Sequence, residues 1–200
     1  MTANAFRDAL AKRHSQYALG KNLPISKEEV TTLIQDVVKL SPSSFNSQSS
    51  RVVILHGAES EKFWGFVKEA LRKIVPEDNF ASTDKRISGF AAGAGTVLFY
   101  EDQDVVKSLQ EKFALYAENF PTWSEHSTGM AQLSVWTALA NADIGASLQH
   151  YNPLVDEVTA AEWNIPATWK MRAQMPFGSN EGPTADKERM SDAERFRVFG

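Results

Sequence analysis

Arg13, His14 and Ser15 stand in succession, and a guanidinium, an imidazole and a hydroxyl can all donate hydrogen bonds to phosphate oxygens, the guanidinium bidentately. Near the other end of the chain Lys187 and Arg189 are two positions apart, so in extended backbone both side chains point to one side and could grip a single anion. A dianionic phosphate needs more than one cation, and these two together with Arg13 supply three. Between the two ends lies Ser41-Pro42-Ser43-Ser44-Phe45-Asn46-Ser47-Gln48-Ser49-Ser50, where Ser43, Ser44, Asn46 and Gln48 could present hydroxyls and amides to the edge of a heteroaromatic ring. Read locally, each segment also has a plainer explanation. Cations are favoured at a helix C-terminus, polar residues fill helix-to-strand loops, and Lys-Glu-Arg suits a charged surface.

Other chemistries are poorly represented. With no cysteine, disulfides, iron–sulfur clusters, thiolate zinc and a cysteine nucleophile are excluded. The motifs G-x-G-x-x-G, G-x-x-x-x-G-K-[ST], H-E-x-x-H and G-x-S-x-G are absent, and Gly93-Ala94-Gly95 leads into a strand rather than out of one. The four histidines, His14, His56, His126 and His150, are too scattered to suggest a metal site. A net charge of -4 without a long basic run makes nucleic acid or an anionic membrane an unexpected partner. No stretch approaches a membrane span, and the first twenty residues lack the unbroken apolar core of a signal peptide, so a cytoplasmic location is expected.

The elements that must position these residues follow one another closely. Two hundred residues, 42% hydrophobic and 23% charged, fit one domain over 1–200 with no linker or repeat to divide it. Helices are expected over 2–12, 27–40, 59–75, 104–119 and 130–143. The second of these opens on a Ser26/Glu29 capping box, and Ser41-Pro42 ends it. Asn152 and Pro153 read as the N-cap and first residue of a further helix reaching about Trp163. Arg51–His56 and Gly95–Tyr100 are continuously apolar, as strands buried on both faces are. Residues 169–177 alternate like a half-buried strand, and Phe196–Phe199 reads as a last one. Few strands among many helices imply a sheet sandwiched between helical layers.

Taken in order, Arg13-His14-Ser15, Pro42-Ser43-Ser44-Phe45-Asn46-Ser47-Gln48 and Lys187-x-Arg189 resemble the FMN-dependent nitroreductase family, over nearly the whole chain. The stretches RHSQYALGKN, LSPSSFNSQSSRVVIL, GTVLFYED and MPFG resemble a subgroup typified by a yeast fatty-acid-repression protein and its small bacterial relatives. The resemblance implies an α+β fold, a three-layer α/β/α sandwich around a mixed, mostly antiparallel sheet, and an intertwined homodimer with FMN at the interface. Carried over by position, it implies that Arg13, His14, Ser15, Lys187 and Arg189 hold the phosphate and ribityl end, with Tyr17 where many relatives have Lys or Arg. Ser43, Ser44, Asn46 and Gln48 would reach the ring from the partner subunit, and Gln149, His150 and Tyr151 would lie beside its pyrimidine end. Lys85 or Arg86 could stand in for family contacts that have no clean counterpart in 81–94. The implied activity is hydride transfer from NAD(P)H through flavin N5 to a small nitroaromatic or quinone acceptor, by a ping-pong scheme with no obligatory protein acid or base. The alternative in another class is a flavin-binding regulatory protein linked to lipid or stress response, with little turnover.

Overall fold

The computed structural model describes residues 4–200. Helix α1 (Asn4–Lys12) is followed by the short strand β1 (Leu19–Gly20) and by α2 (Lys27–Leu40). The capping box of α2 forms in full: Glu29 N donates to Ser26 Oγ at 3.2 Å, and Ser26 N donates to Glu29 Oε2 at 2.8 Å. After the Ser-rich loop come β2 (Ser50–His56), α3 (Ala58–Arg72), α4 (Glu77–Ala91), β3 (Gly95–Asp102) and α5 (Gln103–Lys112). The long helix α6 (Phe120–Asn141), β4 (Ile144–Ala146), α7 (Asp156–Trp163), β5 (Trp169–Asn180) and one turn of helix, α8 (Asp192–Arg195), complete the chain.

The strands form one sheet in the order β1-β5-β3-β2, with β4 also paired to β5, and every strand pairing is antiparallel. A parallel bridge from Ser15 to Ala146 makes the sheet mixed. The apolar run of β3 is buried on both faces and serves two cores. Val97 and Phe99 face Val30 and Ile34 of α2 and Val135 and Leu139 of α6. Leu98 and Tyr100 face Phe63, Trp64 and Val67 of α3 and Ile87 and Phe90 of α4. The result is the expected α/β/α sandwich, in the α+β class.

Several elements differ from the sequence reading, each for an identifiable reason. Helix α4 buries only Ile87 and Phe90, too few to write an apolar stripe into its sequence. Helix α6 begins at Phe120, well before Met130, with Pro121 in its first turn. Ser124, Ser127, Thr128 and Gln132 are buried along its first half, so the inner face there is largely polar and carries no apolar period. The helix expected over 104–119 stops at Lys112 and continues as a tight turn, Ala114–Asn119. Strand β5 extends to Asn180 and is almost wholly buried rather than half-buried, because it is flanked by β3 on one side and by β1 and β4 on the other. Helix α7 starts at Asp156 behind a turn, not at Pro153, and the Asn152-Pro153 peptide is cis. Residues 196–199 pair with no strand among the described residues, and Phe199 is 91% exposed.

Candidate functional site

Helix α1 ends at Lys12, whose ammonium donates to Asn141 O at 3.2 Å and pairs with Asp143 at 2.8 Å, so the chain turns immediately onto the sheet. Ser15 bridges Ala146, and Gln16 N donates to Ala146 O at 2.9 Å. Beneath this segment stands Trp136 of α6. Its indole N–H donates to His14 O at 3.2 Å and to Ala146 O at 3.1 Å, and the Arg13 guanidinium carbon lies 4.4 Å from its ring centroid. Arg13 makes no ion pair among the described residues. Its charge is thus stabilised by an aromatic face while its N–H groups keep their donor capacity.

Tyr17, 61% exposed, projects into an open cavity of about 700 Å³ that it shares with Ser82, Lys85, Arg86 and Gln149. Gln149 is fixed there by β5: its N–H donates to Gln174 O at 2.7 Å, Gln174 N donates back at 2.9 Å, and its side-chain amide donates to Ser147 Oγ at 3.1 Å. The buried Gln174 holds the next turn as well, accepting from Tyr151 N at 2.7 Å and donating to Asn152 Oδ1 at 3.1 Å. His150, the residue after Gln149, is exposed and is not among the residues that line the cavity. Tyr151 turns its ring into the core, edge-on to Trp64 with centroids 5.8 Å apart and near Phe90 at 6.4 Å. Burial pushes its phenol above the ordinary value, while the charge of Arg86 acts in the other direction.

The Ser-rich loop is shaped by its own hydrogen bonds. Ser43 Oγ accepts from Gln48 N at 2.9 Å, Ser43 O accepts from Asn46 N at 3.0 Å, and Phe45, Asn46 and Gln48 all sit in the left-handed region, with φ of 57°, 51° and 50°. Phe45 is half exposed yet touches four rings: Phe113 at 4.8 Å, Phe120 at 5.3 Å, and Tyr116 and Trp123 at 6.1 Å. At its far end the loop is anchored by the buried carboxylate of Glu101, which accepts from Ser49 Oγ at 2.5 Å and from Ser50 Oγ. Burial raises the pKa of Glu101, and these two hydroxyls pull it back down. Arg51 pairs with Asp102 at 3.1 Å and donates to Gln48 O.

Within a single chain, the structure therefore brings together Tyr17, Gln149, Lys85 and Arg86. It also places His14 in a polar crevice of about 330 Å³ with Gly182 and Thr184. It does not bring Ser43, Ser44, Asn46 or Gln48 to that cavity. Ser43 and Gln48 line a separate crevice of about 180 Å³ with Arg51 and Ser127. Lys187 and Arg189 are exposed on the coil that leaves Gly182. Trp136, Gln16 and Glu101 are the supports that sequence reasoning missed. Gln16 and Glu101 are polar residues whose burial leaves no local mark, and Trp136 reads as one more core aromatic. Among the described residues no three His, Asp or Glu side chains converge as metal ligands, and no helix is long and apolar enough to cross a membrane.

Comparison with known proteins adds the following. A family model described as the nitroreductase family matches residues 10–179. The Saccharomyces cerevisiae protein HBN1 is 34% identical over 190 residues, covering 94% of each chain. The structure superposes on nitroreductase CinD from Lactococcus lactis, solved in complex with chloramphenicol, with a TM-score of 0.91 and 47% identity over 98% of this chain and 100% of that one. CinD has also been solved with 4-nitrophenol. A nitroreductase from Desulfitobacterium hafniense with bound FMN shares the fold, with a TM-score of 0.72 at 14% identity and all of both chains covered.

Proposed function

The chain belongs to the nitroreductase family, and from that premise we propose that it is an FMN-dependent oxidoreductase, one domain over residues 1–200 that works as an intertwined homodimer. Its electron source is NAD(P)H, its acceptors are small nitroaromatics or quinones, and a cytoplasmic location goes with that source. The observation that carries the proposal is the cavity between Tyr17, Lys85, Arg86 and Gln149, reached by the same segment that displays Arg13, His14 and Ser15. Its volume of about 700 Å³ suits a ring of flavin size. The donor set fits as well: the phosphate end of FMN is dianionic, and Arg13, His14, Ser15, Lys187 and Arg189 are cationic or donating groups.

FMN, when bound, would supply the two-electron redox chemistry that links NAD(P)H to the acceptor. The chain's own residues bind and tune. Arg13, His14 and Ser15 on one segment and Lys187 and Arg189 on the tail would hold the phosphate and ribityl end. Lys85 and Arg86 supply positive charge where a reduced, anionic ring would need it, and Gln149 offers an amide held in place by β5. Ser43, Ser44, Asn46 and Gln48 line no surface of this chain's own cavity, which accords with their serving the partner subunit's site. Phe45 travels with that loop and adds an aromatic face, appropriate to flat acceptors such as the 4-nitrophenol bound by CinD.

The deciding experiment is direct. Purified protein should be yellow and should oxidise NADH or NADPH in the presence of 4-nitrophenol or a quinone, with parallel-line ping-pong kinetics. Colourless protein that takes up no FMN overturns the proposal. A bound flavin without turnover would move the protein to the class of flavin-binding regulators.

A further inference from the structure

We propose that Gln16 is a positioning residue for the phosphate end of the site. Its side-chain amide ties the coil that carries Lys187 and Arg189 to the segment that carries Arg13, His14 and Ser15. The inference rests on the FMN reading given above. Gln16 is 4% exposed, and both polar atoms of its side chain have a partner. Its backbone N–H donates to Ala146 O at 2.9 Å, its side-chain Oε1 accepts from Ala18 N at 3.0 Å, and its Nε2 donates to Gly182 O at 2.7 Å, across 166 positions of sequence.

The surroundings are built to admit that side chain. A Cβ on Gly145 would come within 2.7 Å of Gln16 Cγ and 3.1 Å of its Cβ, so only glycine leaves room for it there. Glu181 N donates to Ala18 O at 3.0 Å, one residue before the tether, and β1 pairs with the end of β5. Among the described residues, the bond to Gly182 O is the last hydrogen bond between the sheet region and the coil before Lys187. It therefore sets the direction in which the coil departs. Lys187 follows five residues later, a reach of at most about 18 Å at 3.6 Å per extended residue. Fixing the departure point narrows the volume the two tail cations search. Part of the ordering entropy that phosphate binding would otherwise cost is then already spent on folding. Gln16 itself would touch no cofactor; it acts through Lys187 and Arg189.

The test is a fluorescence titration of apo-protein with FMN and with riboflavin, which lacks the phosphate. It is run on the wild type, on Gln16→Met, on Lys187→Ala/Arg189→Ala, and on the combination of all three. Gln16→Met is expected to narrow the preference for FMN over riboflavin by about three- to tenfold while riboflavin affinity holds. In the background lacking both cations it should narrow it no further. Equal loss of both ligands, or the same narrowing with and without the tail cations, would make Gln16 a merely structural residue and overturn the inference. If Gln16→Met fails to fold, Gln16→Asn is too short to reach Gly182 and takes the same titration. A wild type that binds FMN no better than riboflavin would instead remove the FMN-phosphate reading, an outcome separate from any effect of Gln16.

Discussion

The guanidinium of Arg13 lies 4.4 Å over the ring of Trp136, and the same indole donates its N–H to the carbonyls of His14 and Ala146. One side chain thus supports the first cation of the proposed phosphate site and fixes two backbone segments beside it. Trp136→Phe keeps a ring under Arg13 and removes the donor. It is expected to lower stability by about 1 kcal/mol and to weaken FMN binding severalfold. Trp136→Leu also removes the cation–π contact and should weaken FMN further, by about 0.5–1 kcal/mol. Urea denaturation and flavin titration together check both; FMN affinity untouched by Trp136→Phe would detach Trp136 from the site.

Arg13→Ala and Arg189→Ala should each raise the FMN dissociation constant roughly ten- to a hundredfold. A hydrogen bond to a charged group contributes about 1.5–3 kcal/mol. Riboflavin binding should change little in either variant. Normal FMN retention in the double variant would remove both residues from the phosphate site.

Asn46 is expected to act on reactivity more than on grip, since it belongs to the loop proposed to reach the flavin ring from the other subunit. Its φ of 51° means that alanine there adds backbone strain to the loss of the amide, whereas glycine does not. Asn46→Gly should therefore shift the flavin midpoint potential or the rate of acceptor reduction while FMN affinity stays near wild type. A dye-equilibration potential identical to wild type, with unchanged turnover, would show that the side chain does not reach the ring.

His56 gives stability a pH dependence of known sign. Its Nε2 lies 2.9 Å from Thr31 Oγ1 and its ring meets Phe177 edge-on. Burial, with help from Lys27 and against the pull of Glu28, holds its pKa below the ordinary 6.5. The unfolded chain takes up a proton near 6.5 and the folded one only at lower pH. This contribution is therefore fully present above that value and is lost as pH falls from 6.5 towards the folded pKa. Glu101 slopes the other way: its raised pKa means stability declines as pH climbs from 4.5 towards the folded pKa. Denaturation of wild type and His56→Gln at about pH 7.5 and about pH 5.5 should show the smaller drop in the variant. Equal drops would exclude the imidazole as the cause.

Much of the architecture was legible because it rests on local, repetitive signals. The capping box and apolar stripe of α2 predict its bounds without error, and the unbroken apolar run of β3 announces a strand buried on both faces. Strand β2 forms as its apolar run predicts, but at the edge of the sheet it buries only Leu55 and is otherwise half-buried. What failed depends on distant neighbours. Nothing in residues 169–177 tells that β5 is central, because the alternation of Lys170 and Arg172 with apolar residues suits a sheet surface equally well. Helix α6 hides its first half behind buried Ser and Thr residues, and β4 is too short to carry a pattern. At the site, the residues that carry charge were visible as types at a spacing. Those that hold them, Trp136, Gln16 and Gln174, take their roles only from contacts across the fold.

The position of β5 also bears on how the protein is made. It lies between β3 on one side and β1 and β4 on the other, yet it occupies residues 169–180 of 200. On the ribosome, every other strand is therefore finished and waiting before the one that joins them is synthesised, at about 5–20 residues per second. The sheet can close only once Trp169–Asn180 has been made, and a chain released short of Trp169 would expose β1, β3 and β4 without their common partner. Such a layout makes quality control sharp: a truncated product keeps only the β2–β3 pair of its native sheet and is a target for chaperones and proteases.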